Sequence, residues 1–258
     1  MSDFIPTPER QRQILSQLTR RGRLSVNEIV EQFSISEATA RRDLESLASQ
    51  GKVQRVHGGV MAIEKAPPEL PILQRESEQP DEKARIGLST ANLIGDKETV
   101  FLGSGTTVLE VARNLRRTSK NLTVITNSLP VLNMLAGING ITVISLGGML
   151  RESELSFIGH ITEQALTQVR TDKVIMGTRC LSLEHGLTND YLQETLTDRA
   201  ILKIGREVII VADHTKVNRV ATALLAPLDV MQTLVTDSKA DKKFIQALKK
   251  KGINVVIA

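Results

Sequence analysis

Residues 25–60 read SVNEIVEQFSISEATARRDLESLASQGKVQRVHGGV, and this stretch predicts two short helices followed by a β-hairpin. Ser25 and Glu28 form a capping box at the start of the first helix, whose apolar residues recur at helical spacing. The break before the second helix is only two residues long, and Ser36 caps that helix. After residue 52 apolar residues alternate along the chain, and Gly58-Gly59 marks a turn. Upstream, Thr7-Pro8 predicts the start of one more helix, which ends at Gly22.

The second of these helices has one apolar face and one polar face. Its polar face presents Ser, Thr and Arg side chains near the N-terminus, and a helix of this kind after a tight turn enters the major groove of DNA. Arginine can bond guanine through two hydrogen bonds, and Ser or Thr can bond phosphates or base edges. The hairpin would carry Arg55 and His57 to the DNA backbone or minor groove. The alternative is a helical interaction module whose arginines are solvated.

The motifs TARRDL (39–44) and RVHGG (55–59) carry a family resemblance. The segment from Arg10 to Val60 resembles the winged helix-turn-helix of DeoR-family bacterial transcriptional regulators, although Ala40 stands where the family usually has Ile or Val. The resemblance implies DNA contacts from the recognition helix and from the wing, made by Ser36, Thr39, Arg41, Arg42, Arg55 and His57.

Beyond residue 83, apolar β-branched runs alternate with amphipathic stretches. Strands are predicted at 99–102, 122–126, 141–146, 173–177, 207–212, 233–236 and 253–257, with helices between most of them. Runs without polar alternation are typical of a parallel sheet buried on both faces, and the alternation predicts a doubly wound α/β domain. Four prolines lie between residues 63 and 82. The predicted organisation is therefore a winged helix-turn-helix at 1–62, a linker at 63–82 and an α/β domain at 83–258.

The loop Gly103-Ser104-Gly105-Thr106-Thr107 follows a predicted strand and opens a helix. Its glycines allow close backbone approach, and its amides and hydroxyls would face an anion at the helix N-terminus. The loop lacks the Gly-Lys-Ser/Thr ending of a P-loop and the third glycine of a dinucleotide motif, so a nucleotide cofactor is disfavoured and no cofactor is expected. A simple strand-to-helix turn is the alternative.

Other polar loops also follow predicted strands. Asn127, Gly147-Gly148 leading to Arg151, and Lys216 would meet at the carboxyl edge of the sheet around a small anion. Alternatively, each glycine only turns the chain and each cation is solvated.

The order of these loops resembles the DeoR sensor domain, which is similar in fold to ribose-5-phosphate isomerase, glucosamine-6-phosphate deaminase and coenzyme A transferases. The resemblance implies that residues 104–107 cradle a sugar phosphate, that Asn127, Gly147 and Gly148 line the pocket, and that Lys216 pairs with the anion.

Thr178-Arg179-Cys180 departs from that family pattern. The related isomerases have acidic residues here, and an arginine cannot serve as their general base. We therefore expect a sensor rather than an enzyme, with Arg179 helping to set ligand specificity. A sugar-phosphate isomerase or deaminase carrying a helical appendage is the rival hypothesis.

Composition narrows the remaining possibilities. The chain has 258 residues, a formal net charge of +4, 2% aromatic residues and one cysteine. So few aromatics disfavour a stacking platform for single-stranded nucleic acid. The single Cys180 is interpreted as structural rather than nucleophilic, and the histidines lack metal-ligand spacing, so no metal site is expected. Asp190 and Glu194 are interpreted as packing or oligomer-contact residues.

Together these patterns predict a cytoplasmic, DNA-binding transcriptional regulator. We expect a repressor of a sugar-utilisation operon whose affinity for double-stranded operator DNA is changed by a phosphorylated sugar. Residues 1–12 lack the basic start and apolar run of a secretory signal, and no apolar stretch is long enough to span a membrane. A homodimer or homotetramer is expected, because one short recognition helix makes too few contacts for high affinity.

Overall fold

The computed structural model describes residues 5–49, 52–56, 58–62, 64–65 and 69–258. The chain divides into two compact units, Met1–Glu64 and Lys65–Ala258. The two-residue strand β4 (Glu64–Lys65) lies at this division. Each unit has its own apolar core.

The first unit is a three-helix domain with a small antiparallel sheet. Its capping box is formed as predicted, since the Glu28 amide donates to Ser25 Oγ at 3.2 Å and the Ser25 amide donates to the Glu28 carboxylate at 2.7 Å. The strands pair in the order β1-β3-β2. The elements are α1 (Thr7–Arg21), β1 (Arg23–Ser25), α2 (Val26–Phe33), α3 (Glu37–Ser49), β2 (Val53–Val56), β3 (Gly59–Ala62) and β4 (Glu64–Lys65).

Gly59 is required where the hairpin packs against β1. A Cβ atom at this position would lie 2.2 Å from the Leu24 carbonyl oxygen. The preceding Gly58 has a φ of 80°, which favours glycine. The Gly-Gly pair therefore both turns the hairpin and lets β3 approach the strand beside it.

The second unit is an α/β domain built on seven parallel strands. Two apolar cores cover the sheet, and β-branched residues dominate its strands. The predicted α/β class is confirmed. The elements are α4 (Ile72–Arg75), α5 (Pro80–Asn92), β5 (Thr99–Leu102), α6 (Thr106–Leu115), β6 (Leu122–Thr126), α7 (Leu129–Leu135), β7 (Ile141–Ser145), β8 (Met149–Arg151), β9 (Ser156–Ile158), α8 (His160–Leu166), β10 (Thr171–Gly177), β11 (Cys180–Ser182), β12 (Gly186–Asn189), α9 (Leu192–Leu202), β13 (Gly205–Val211), β14 (Arg219–Val220), β15 (Ala223–Ala226), β16 (Thr233–Thr236), α10 (Lys242–Lys250) and β17 (Asn254–Ile257).

The strand order places a crevice at the centre of the sheet. The order is β17-β16-β13-β10-β5-β6-β7, so the chain moves outward from β5 in one direction and from β10 in the other. Such a reversal point is where open parallel sheets bind ligands, beyond the carboxyl ends of the strands. The loops after β5 and β10 flank this point.

Two small antiparallel additions were not anticipated from the sequence. Strands β8 and β9 form a hairpin, and β11, β12 and β15 form a three-stranded sheet. Their strands are only three or four residues long, too short to show a clear alternating pattern.

The second unit begins at Lys65, within the segment 63–82 that the sequence predicts to be a linker. Ile72 is buried, and its amide donates to the Ser153 carbonyl at 2.7 Å. Arg75 is also buried, and its carbonyl accepts a hydrogen bond from Lys83 Nζ at 2.6 Å. This part of the segment therefore packs on the α/β domain, because its apolar and charged side chains find partners there.

Candidate functional site

The exposed face of α3 carries most of the side chains predicted to contact DNA. Ser36 Oγ accepts the Thr39 amide at 3.3 Å, so Ser36 caps the helix, and it lies 2.9 Å from Thr39 Oγ1. Arg41 is exposed and donates to Glu37 Oε1 at 3.0 Å. Arg42 is exposed, and no carboxylate of the described residues lies within ion-pair distance of it. Arg42 is therefore the recognition-helix guanidinium with the least internal competition for a DNA partner.

Asp43 of the same motif is turned away from this face. It is 3% exposed and accepts a hydrogen bond from Arg10 Nε at 2.6 Å. This buried ion pair joins α1 to α3 and holds the recognition helix in place.

The wing is formed by β2, β3 and the turn between them. Arg55 lies on β2 and is half-buried, with no hydrogen-bond partner for its buried Nη1 among the described residues. His57, also predicted to contact DNA, lies outside the described residues.

In the second unit, a cleft opens at the reversal point of the parallel sheet. Loops after β5, β10 and β13 contribute to it, as expected when strands run parallel. The cleft brings together six of the ten residues predicted to bind the ligand: Ser104, Gly105, Thr106, Thr107, Arg179 and Lys216.

The loop after β5 is shaped as an anion-binding turn. Gly105 has a φ of 108°, a conformation that glycine adopts without the steric cost of a Cβ atom, and α6 begins at the next residue. No side chain caps α6, so its first amides point toward the cleft without a side-chain acceptor. The helix dipole adds a partial positive charge at this end. Backbone amides, two threonine hydroxyls and Lys216 can therefore meet a phosphate in this cleft.

Asn127, Gly147 and Gly148 do not line the cleft. Asn127 Nδ2 donates to the Phe157 carbonyl at 2.9 Å, fixing the strand β9. A Cβ atom on Gly148, which has a φ of 153°, would lie 2.1 Å from Thr162 Oγ1. The structure gives these residues contacts that hold the β8–β9 hairpin.

Arg151 lies one contact away from the cleft. It forms an ion pair with Glu194, which does line the cleft, and its guanidinium lies 4.8 Å from the centre of the Tyr191 ring. Glu194 is interpreted from the sequence as a packing or oligomer-contact residue, whereas the structure places it in the cleft wall.

That wall contains buried acidic residues that the sequence analysis missed. Glu154 is 4% exposed, Glu194 8% and Asp198 7%. Asn189 Nδ2 donates to Asp198 Oδ2 at 2.8 Å. The available signal was the i, i+4 spacing of Glu194 and Asp198 on α9, which puts both on one helix face.

Burial changes the protonation of this wall. It raises the pKa of Glu154 to about 7, although Arg75 opposes the rise. Burial also raises the pKa of Glu194 and, still further, that of Asp198, which Glu194 raises as well. At neutral pH the wall therefore carries less negative charge than its carboxyl groups suggest.

Cys180 is buried directly after the cleft loop. Burial raises the pKa of its thiol to about 11, so the thiol is protonated and a poor nucleophile at neutral pH. Among the described residues, no cluster of three or more His, Cys, Asp or Glu side chains is arranged to hold a metal ion. Within the same residues, no helix is both long and apolar enough to cross a membrane.

Comparisons with known proteins match both units. A sequence model of the DeoR-like helix-turn-helix domain matches residues 10–66, and one of the DeoR C-terminal sensor domain matches residues 78–238. The chain belongs to the DeoR family. It is thus a member of a family of transcriptional regulators, and the expectation of a regulator rather than an enzyme is confirmed.

Relatives of this DeoR-family regulator are similar over nearly its whole length. Transcriptional repressor AccR of Agrobacterium fabrum is 34% identical over 257 residues, which cover 95% of this chain and 99% of the relative. The glycerol-3-phosphate regulon repressor of Escherichia coli is 33% identical over 240 residues, covering 93% and 94%. The regulator IolR of Bacillus subtilis is 31% identical over 237 residues, covering 92% and 94%.

The similarity of the DeoR-family chain to solved structures is low. Ribose 5-phosphate isomerase A from Methanocaldococcus jannaschii is 14% identical, with a TM-score of 0.41 over 54% of this chain and 55% of that one.

Proposed function

We propose that this DeoR-family regulator represses a sugar-utilisation operon and that a phosphorylated sugar bound in the cleft changes its affinity for operator DNA. The observation that carries the proposal is the convergence of residues 104–107, Arg179 and Lys216 on one cleft at the reversal point of the sheet. One of the relatives is named a repressor of the glycerol-3-phosphate regulon, which supports a small phosphorylated effector.

The proposed phosphate position follows from the chemistry of the loop. The α6 amides and the hydroxyls of Thr106 and Thr107 supply donors, and Lys216 supplies a charge. A ligand changes operator affinity only if it binds the DNA-free and DNA-bound arrangements unequally, and a coupling of about 1 to 3 kcal/mol is typical.

Operator binding requires more than one recognition helix. We propose that a homodimer or homotetramer reads paired half-sites, since each α3 offers only a few base contacts. Because the proposed protein acts on operator DNA, the proposal includes a cytoplasmic location. Sedimentation of the protein with and without operator DNA measures the number of copies.

Fluorescence anisotropy with the protein's own promoter, in the presence of a phosphosugar panel, tests the proposal. We expect specific binding that weakens steeply as salt rises and that one phosphosugar shifts. Arg42→Ala should cost about 1 to 3 kcal/mol if Arg42 contacts a base. Arg12→Ala is the matched control, because Arg12 is an exposed arginine on α1. Equal affinity for promoter and random duplex under every metabolite condition would refute the proposal.

A further inference from the structure

A carboxylate of the chain itself sits among three arginines at the cleft. The Glu69 side chain lies 3.1 Å from Arg75 Nη1, 3.7 Å from Arg151 Nη2 and 3.9 Å from Arg179 Nε. Glu69 lines the cleft, as do Arg75 and Arg179, and all four side chains are at most 15% exposed. The three guanidiniums therefore surround one internal anion.

Glu69 satisfies these arginines poorly. All three of its contacts are longer than the roughly 2.7–2.9 Å of a charge-assisted hydrogen bond, and two of them exceed it by more than about 0.7 Å. Arg75 Nε is buried and has no acceptor among the described residues. The Glu69 Oε1 atom is shared between Arg75 and Arg179, and Oε2 comes no closer to Arg151 than 3.7 Å. A free ligand group is not held by the chain and can approach all three guanidiniums more closely.

The guanidiniums stay anchored without Glu69. Arg75 pairs with Glu154, Arg151 with Glu194, and Arg179 Nε with Asp190 at 2.8 Å. These three carboxylates hold the arginines in position, and Glu69 is the additional anion. Exchange of Glu69 for another singly charged anion leaves the charge of the cluster unchanged. A carboxylate with a neighbouring hydroxyl has one charge and three oxygens.

We infer that Arg75, Arg151 and Arg179 form a second anion subsite of the cleft, and that the effector is a phosphorylated sugar acid whose carboxylate displaces Glu69. The inference rests on the proposed function, which assigns the phosphate to the loop after β5. Glu69 is five residues beyond Glu64, the last residue of the helix-turn-helix unit. Because Glu69 lies so near the DNA-binding unit in the sequence, its displacement is the proposed link between ligand binding and operator affinity.

Calorimetric titration with two matched ligand pairs tests the inference. The pairs are 6-phosphogluconate with glucose 6-phosphate, and 3-phosphoglycerate with glycerol 3-phosphate. The acid of at least one pair should bind about tenfold more tightly than its partner, the effect of one added charge-assisted hydrogen bond. Equal affinity within both pairs overturns the inference, and so does binding of none of the four.

Glu69→Gln removes the internal competitor. It should raise the affinity for the preferred acid by about fivefold or more, because Gln bonds guanidinium more weakly than a carboxylate does, and should raise the affinity for the matched non-acid clearly less. Glu76→Gln is the control, since Glu76 is exposed, pairs with Arg113 and does not line the cleft. Should Glu69→Gln fold poorly, Glu69→Asp, which withdraws the carboxylate by one methylene, should give a smaller increase. An equal effect of Glu69→Gln on the affinities for acid and non-acid contradicts the inference. So does a variant that binds only fructose 1,6-bisphosphate more tightly, because the second anion of that ligand is a phosphate and not a carboxylate.

The outcome separates this inference from the proposed function. If a phosphosugar without a carboxylate shifts operator binding and Glu69→Gln has no selective effect, the proposed function stands and the sugar-acid assignment fails. If no phosphosugar shifts operator binding, the proposed function fails first.

Discussion

Asp43→Asn should destabilise the DNA-binding unit although Asp43 lies within the recognition helix motif. The Arg10 and Asp43 side chains are 4% and 3% exposed, and their charged atoms are 2.6 Å apart. Asn keeps the shape of the side chain but leaves the Arg10 charge buried without a carboxylate. Removing one partner of a buried ion pair typically lowers the free energy of unfolding by about 3 to 5 kcal/mol. A unit of this size has a free energy of unfolding of only roughly 3 to 10 kcal/mol, at about 0.05–0.15 kcal/mol per residue. The substitution therefore removes much of its stability.

Hydrogen exchange measured by mass spectrometry reads this effect unit by unit. Peptides from α1 and α3 of Asp43→Asn should exchange faster, with opening free energies lower by about 3 kcal/mol or more. Peptides from the parallel sheet should be unchanged. Glu45→Gln, an exposed acid on the same helix, should leave both units as they are.

A double substitution separates the buried charge from other effects. Arg10→Met with Asp43→Leu removes both charges and should recover most of the lost stability, because apolar residues often replace buried ion pairs without loss. The loss of one partner of a buried ion pair should lower the opening free energy by far more than about 1 kcal/mol. If α1 and α3 of Asp43→Asn keep their opening free energies to within that amount, the structural role assigned to Asp43 is wrong.

Three further predictions concern the second unit. Because burial raises the pKa of Glu154 from 4.5 to about 7, the folded state binds the proton more tightly, and this group's stabilisation is present below pH 4.5 and lost as pH rises to 7. The lost stability approaches roughly 3 kcal/mol, at 1.36 kcal/mol for each pKa unit. The free energy of unfolding, measured by urea denaturation from pH 5 to 8, should therefore decline less steeply in Glu154→Gln than in the unsubstituted protein; an identical slope in both would contradict this prediction. Cys180 should react with iodoacetamide many times more slowly in the folded protein than in urea, since its thiol is buried and its pKa is about 11; comparable rates in both would contradict the assignment as structural. Gly105→Ala should weaken inorganic phosphate binding, because a φ of 108° strains any residue with a Cβ. Gly137→Ala, at a φ of 76° and outside the cleft, is the control, and an equal effect of both substitutions would refute the role of the loop.

The winged helix-turn-helix was predictable because its signals are local. The capping box, the helical spacing of apolar residues and the Gly-Gly turn each act within a few residues. The loop after β5 was predictable for the same reason, since its conformation depends on Gly105 and on the helix that starts next to it. The parallel sheet followed from the unbroken β-branched runs of its strands.

The site beyond that loop was only partly predictable. Asn127, Gly147 and Gly148 follow strands as expected, but β6 and β7 lie on the far side of β5 from the crevice. Their contacts go to the β8–β9 hairpin, whose short strands leave no pattern in the sequence. The acidic wall was missed because no motif joins Glu154 to Glu194.

The sequence by itself determined the helices and hairpin of the first unit and the conformation of the loop after β5, because local hydrogen bonding, apolar periodicity and glycine fix them. Only the tertiary structure decided that Asp43 is buried, that Glu69 enters the cleft and that Arg75 pairs with Glu154. The Arg75–Glu154 pair, for example, joins residues 79 positions apart. Such pairs form only after long-range packing excludes water and brings the buried charges together.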